Sequence, residues 1–513
     1  MELKLKDINV CEYNKIINTN CSAEADIIVP DTKPDIHSIL CVNSTCNLEE
    51  YYIRKDKVIF AGNVKFNIMY VGENDKSAIY TIDYSMPFNH QCDVPDAGED
   101  YTCLAMCSVS STDFKVKNSR KLLTKANLAV KGQIMKHSVV KALEAIEGED
   151  SVPCRQKSVK SDSLINSKEF KFNVSDTISF PTGEDFQEIY DFSIGVNVEE
   201  IKTVNNKAII KGMLPAKIFY MGAGTPCVYE TECSFTEIAD LDMANSESVL
   251  SSHFSVSDVS YEISENDGEV TIDLDVIIKS CIKAYETMEY SLISDMYSPD
   301  YQYNISKVKS KLERYTHITP SQITVKDVIG SNMGDNSIAK VHYMTVYPSY
   351  EKPEYENSTV VVCGSIQTVV IYSNHDGEIC SIQKNIPYKA EIPAPDNLSD
   401  SFFDVVVTPV NYGYVLSSDK DIQVRTVLRI SVDAYTGCNT NIISDFTLDK
   451  SNPIDKSSQP GVVVCYPSEN MSLWDYAVKY NTTCQDIASV NNMDVNDPIP
   501  KGSPILIPKR QIG

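Results

Sequence analysis

Positive charge is scarce in this chain: 46 lysines and arginines face 71 aspartates and glutamates over 513 residues, a formal charge of −25. That balance opposes nonspecific attraction to DNA, RNA or an anionic membrane face. No segment reaches the roughly 18 uninterrupted apolar residues of a membrane span, so direct membrane insertion is not expected. The opening MELKLKDINV lacks a basic stretch leading into an apolar run, and a cytoplasmic chain is expected. Histidine is rare, with seven residues, none of them in HExxH or a compact His/Cys cluster. No GxxxxGK[ST] loop and no GxSxG elbow occur. No catalytic residue, metal or cofactor is therefore expected, and carboxylates gathered by folding are the one hydrolytic arrangement left open. The sixteen cysteines contain no CxxC pair and several sit in apolar runs, which favours buried thiols in a reducing compartment.

What is present is a phrase written three times: VIFAGNVKFNIMYVG, AIIKGMLPAKIFYMG and VVVCGSIQTVVIYSN. In each, a glycine precedes a tyrosine by eight positions: Gly62 and Tyr70, Gly212 and Tyr220, Gly364 and Tyr372. Alternation across Val58, Phe60, Gly62, Val64, Phe66, Ile68 and Tyr70 has the period of a strand with one buried face. Glycine inside a strand predicts a bulge or a close backbone approach. The tyrosines are expected to be half-buried cross-strand anchors with hydroxyls reaching solvent.

Upstream, Pro34, Asp35 and Ile36, then Ile39, match the offsets of Glu184, Asp185 and Phe186, then Ile189. A short helical turn would put Ile36 and Ile39 on one side. Downstream, Val109 and Phe114, Val256 and Tyr261, and Val407 and Tyr412 repeat the same five-residue step. The third copy loses the upstream match, with SNMGDNSIAKVHYMTVYPSYEKPEYENS in its place, and KSKLERYTHI before it reads as a short helix. The fold class predicted is mainly β: three antiparallel, sandwich-like modules at 1–150, 166–300 and 322–448, with a barrel as the alternative.

After the linker DKSNPIDKSSQPG, residues 462–509 read strand, helix, helix, strand. Ser472 with Asp475, and Thr483 with Asp486, have helix-cap spacing. Leu473, Ala477 and Tyr480 form an apolar stripe, flanked by Trp474 and Val478. The segment resembles a LysM domain, a small α+β (βααβ) fold. The resemblance is carried by Leu473-Trp474, Tyr476-Ala477, Tyr480, Asn491, and a last strand with Ile499, Gly502 and Ile505-Leu506-Ile507-Pro508. It implies binding to N-acetylglucosamine polymers, such as peptidoglycan or chitin, in a groove around Asn470, Met471, Ser472, Met493 and Asp494. The family's usual Gly-Asp is Asn470-Met471 here, which replaces a small polar group by adaptable apolar surface and favours a protein partner. Leu473 and Trp474 join the candidates, because interfaces concentrate binding energy in a few large side chains.

The P-D-I turn, the glycine-to-tyrosine strand and the following aromatic resemble the SPOCS family. Repeated copies followed by LysM resemble clostridial spore-coat morphogenetic proteins. That resemblance implies a noncatalytic adaptor in the mother-cell cytoplasm, recruited to the forespore surface by the coat ATPase, stage IV sporulation protein A. Other coat proteins are further partners it implies; a glycan-binding protein is the alternative.

Overall fold

The computed structural model describes residues 1–149, 152–180, 186–266, 269–330, 337–467, 471–495, 497, 499 and 502–509. Its strands fall into three successive sets. The first is β1 (Glu2–Ile28), β2 (Ile36–Arg54), β3 (Lys57–Gly72), β4 (Asp75–Asp93), β5 (Thr102–Asn118) and β6 (Lys121–Glu147). Antiparallel pairing splits it into sheets β1-β6-β5 and β2-β3-β4.

The second set is β7 (Cys154–Ser179), β8 (Phe186–Ile194), β9 (Asn197–Val204), β10 (Lys207–Gly222), β11 (Thr225–Asp240), β12 (Val249–Asn266) and β13 (Glu269–Met296). Here β13 lies between β7 and β12, while β10 pairs with β11 on one edge and with β8 and β9 on the other. The third is β14 (Tyr301–Gly330), β15 (Ile338–Tyr350), β16 (Glu354–Glu356), β17 (Thr359–Asn374), β18 (Ile379–Pro393), β19 (Phe402–Leu416) and β20 (Asp421–Pro453). It repeats the plan: β20 between β14 and β19, and β17 between β18 and the pair β15 and β16.

Within each set the two sheets share one core. In the first, Leu122, Leu128 and Val130 of one sheet cluster with Phe60, Phe66 and Tyr70 of the other. The alternation in β3 is as the sequence predicts, with Val58, Phe60, Gly62, Val64, Phe66, Ile68 and Tyr70 all buried. Each such large apolar side chain contributes about 1.5–3 kcal/mol by leaving water.

The repeated glycine is a close approach. A Cβ at Gly212 would stand 2.6 Å from the Asn197 carbonyl oxygen and 2.7 Å from Phe235 Cζ. At Gly62 the same places are taken by the Asn47 carbonyl and Phe88, and at Gly364 by the Ser349 carbonyl and Tyr388. The neighbouring strand is irregular there: β2 shifts register between Leu48 and Glu50, and the second and third sets break it into two strands.

The tyrosines differ from expectation. Tyr70, Tyr220 and Tyr372 are buried, at 0%, 2% and 3% exposure, and the Tyr70 hydroxyl donates to the Pro34 carbonyl at 3.0 Å rather than to solvent. The residue before each tyrosine faces the other way. Met69, Phe219 and Ile371 meet in a cluster between the three sets, where the Phe219 and Tyr343 rings stack at 4.4 Å.

Other expectations are corrected. Ile36 and Ile39 do lie against the same core, but no helical turn puts them there. Register shifts between Ile36 and Ser38, and between Ile39 and Cys41, rotate the strand instead. Glu184 and Asp185 lie outside the described residues. The third copy keeps the same double shift, between Ile338 and Lys340 and between Val341 and Tyr343, although its sequence match fails. KSKLERYTHI is strand, part of β14 paired along β20. Of the cysteines, all free thiols, only Cys11, Cys41 and Cys233 are fully buried, and Cys154 and Cys438 are exposed.

Candidate functional site

The C-terminal segment forms β21 (Val462–Cys465), α1 (Leu473–Lys479), α2 (Cys484–Val490) and β22 (Ile505–Pro508), with β21 and β22 antiparallel. Both predicted caps are made. Ser472 accepts from the Asp475 backbone N–H and Asp475 reaches back to Ser472 N at 2.7 Å, while Thr483 accepts from Asp486 N at 3.0 Å. Hydrogen bonds from Ser472 hold the Asp475 carboxyl below its ordinary range. The buried face of α1 is Leu473, Tyr476 and Ala477, so Tyr476 replaces Tyr480, which caps the helix C-terminus. Asn491 ties α2 to β22: its amide donates to the Leu506 carbonyl at 2.7 Å and its oxygen accepts from Leu506 N at 2.8 Å.

The candidate binding residues separate into two groups. Leu473 is core, at 6% exposure. Trp474 turns toward the second strand set: its indole N–H donates to Asp295 Oδ2 at 2.8 Å and its ring meets Tyr297 edge-on at 4.9 Å. The Arg155 guanidinium lies 5.9 Å from the indole centroid. Met471 and Met493 are half-buried against the small domain's core, Ser472 is half-buried, and Asp494 is exposed. Asn470 lies outside the described residues.

Sequence reasoning missed the residues that receive this domain. Tyr297, 1% exposed, belongs to the small domain's own core cluster and donates its hydroxyl to the Thr482 carbonyl at 2.9 Å. The connection is pinned as well: Ile454 N donates to the Asp300 carbonyl at 2.9 Å, and Lys456 Nζ lies 2.9 Å from Asp300 Oδ1, with both side chains buried. The one available signal was the aromatic Tyr297 at the end of the segment read as the second module, 166–300.

A second candidate is a cavity of about 2380 Å³ between the three sets. One part is lined by Lys131, His253, Lys283, Asp404 and Tyr435. Lys283 donates to Gln133 Oε1 at 3.1 Å and to the Tyr435 hydroxyl at 3.4 Å. Burial lowers the pKa of His253 and of Lys131, whose ammonium stands 3.7 Å from the Tyr350 ring centroid. Glu169, Glu230, Lys217 and Arg429 also line it, so its walls carry both signs of charge.

No helix among the described residues is long and apolar enough to cross a membrane. Comparison with curated proteins and with solved structures finds no match. The SipL, SPOCS-domain family model matches residues 35–117 and 185–264, and the LysM-domain model matches residues 472–508. The third strand set lies beyond the matched residues yet has the same strand order as the first two. SPOCS proteins of this kind are noncatalytic scaffolds that serve in spore-coat morphogenesis. This chain therefore carries SipL-type SPOCS domains followed by a C-terminal LysM domain.

Proposed function

We propose that the chain is a coat-morphogenetic adaptor that binds the coat ATPase, stage IV sporulation protein A, and helps to localise coat around the forespore from the mother-cell cytoplasm. The reading treats the three strand sets, with their shared two-sheet cores, as sandwich-like modules and the LysM domain as a dock held rigidly on them. The observation that carries it is the anchoring of Trp474 and Leu473 inward. Met471, Ser472, Met493 and Asp494 are then the part of the candidate groove offered to a partner. An apolar methionine pair bordered by polar groups suits an adaptable protein contact.

The test compares binding of the full chain, residues 1–455 and residues 456–513 to the purified coat ATPase. Binding by the full chain, weakened at least tenfold by Met471→Asp with unchanged circular dichroism, supports the reading. Retention on insoluble peptidoglycan or chitin without binding to the ATPase would replace it with the glycan-binding reading suggested by the LysM match.

A further inference from the structure

Three side chains from distant parts of the sequence meet where the first strand set adjoins the third. They are Cys11 on β1, His137 on β6 and Glu313 on β14. Cys11 and His137 stand directly opposite each other in the β1–β6 ladder, beside a register shift between Cys11 and Tyr13. Directly opposed residues of an antiparallel pair project from the same face, close enough to share a ligand. Glu313 completes the group from the facing strand, with Oε2 3.2 Å from His137 Nε2. One donor atom from each residue lies within 4.8 Å of the other two, and Cys11 is 2% exposed.

We propose that Cys11, His137 and Glu313 form a zinc site, with a thiolate sulfur, an imidazole nitrogen and a carboxylate oxygen in three tetrahedral positions and water in the fourth. Zinc accepts this mixed S, N, O donor set at metal–ligand distances of about 2.0–2.3 Å. Bringing the three atoms onto such a sphere needs only small side-chain movements from their present separations. Magnesium and calcium take oxygen ligands and would leave the sulfur unused. Binding would release the thiol proton of Cys11, making affinity rise with pH. A supporting contact is already in place: Asn14 Nδ2 donates to the other Glu313 oxygen at 2.5 Å, and Gln133 Nε2 donates to Asn14 Oδ1 at 3.3 Å. The ion would tie the β1–β6 ladder to β14, adding a metal bridge to the hydrogen bonds and ion pairs that join the first and third sets.

The competing account is a hydrogen-bonded trio that needs no metal. The full chain, stripped with a chelator, is equilibrated against zinc and against cobalt at buffered free concentrations. The site predicts one tightly held zinc per chain and a near-ultraviolet thiolate-to-cobalt charge-transfer band. His137→Ala and Glu313→Gln should each weaken zinc binding by roughly 100-fold, and Cys11→Ser should abolish the band. Cys438→Ser, at an exposed thiol, should change neither. Zinc should raise the melting temperature of the wild type but not of His137→Ala. Failure of the folded wild type to take up zinc would overturn the proposal. So would a cobalt band that survives in Cys11→Ser, since another thiol would then hold the ion. Should Cys11→Ser not fold, unchanged zinc affinity in Glu313→Gln overturns it equally.

Discussion

Trp474 Nε1 donates to Asp295 Oδ2 at 2.8 Å, and this bond fastens the C-terminal domain to the end of β13. The side chain nominated by sequence as a partner contact is thus occupied by its own chain. Loss of partner binding on removing it would report the joint between domains as much as any interface.

Because Trp474 is the sole tryptophan, its fluorescence reads this joint directly. Asp295→Ala should shift the emission to the red and cost about 1–2 kcal/mol of docking through the lost charged hydrogen bond. Far-ultraviolet circular dichroism should stay unchanged. An unshifted emission maximum would show that the indole does not depend on Asp295.

The Lys456–Asp300 pair supplies a second test. Both partners are buried, at 6% and 8% side-chain exposure, so removing one takes a direct charge partner from the other in a desolvated place. Asp300→Asn or Lys456→Met alone should destabilise by about 3–5 kcal/mol, and the double substitution by clearly less than the sum. A strictly additive double-mutant cycle, measured by urea denaturation, would contradict this coupling.

The repeated glycine predicts a steric outcome. Gly212→Ala should cost about 1–3 kcal/mol, since its methyl group would overlap the Asn197 carbonyl and the Phe235 ring. Gly413→Ala is the control, because a Cβ there meets nothing within 4 Å, and its denaturation midpoint should barely move.

Asp191 predicts a pH effect. Burial pushes its carboxyl up to about 6, against hydrogen bonds including one donated by Tyr343 at 2.9 Å. An aspartate with the ordinary value near 3.8 ionises earlier, so between these values the native state holds more proton than the unfolded state. The associated stability is present below about pH 4 and is lost as pH rises through 6. Asp191→Asn should remove that component, giving a flatter dependence than wild type in urea midpoints measured from pH 4 to 7.

Much of this architecture was readable in short stretches. The two-residue period of β3 follows from one face meeting a core, and the Ser472 and Thr483 caps satisfy backbone donors within three residues. The third set shows the limit of such patterns. Its sequence lost the Pro-Asp-Ile motif, yet Ile338 and Val341 occupy the register positions of Ile36 and Ile39. Register is enforced by the burial of a whole strand, and many residue choices meet that demand. KSKLERYTHI was misread for the same reason, since its partner in β20 lies more than a hundred residues away.

The thrice-repeated glycine-to-tyrosine phrase determined by itself that the chain repeats strand structure, and the capped pair of helices determined a different small domain at its end. Only the tertiary structure decided that each tyrosine faces its own core while Met69, Phe219 and Ile371 face the other sets. It alone placed Trp474 on Asp295 and gathered Cys11, His137 and Glu313. Periodicity and capping act over a few residues, so they are written locally. Contacts between sets depend on how long strands bend and register against chain segments far away, and no local spacing encodes that.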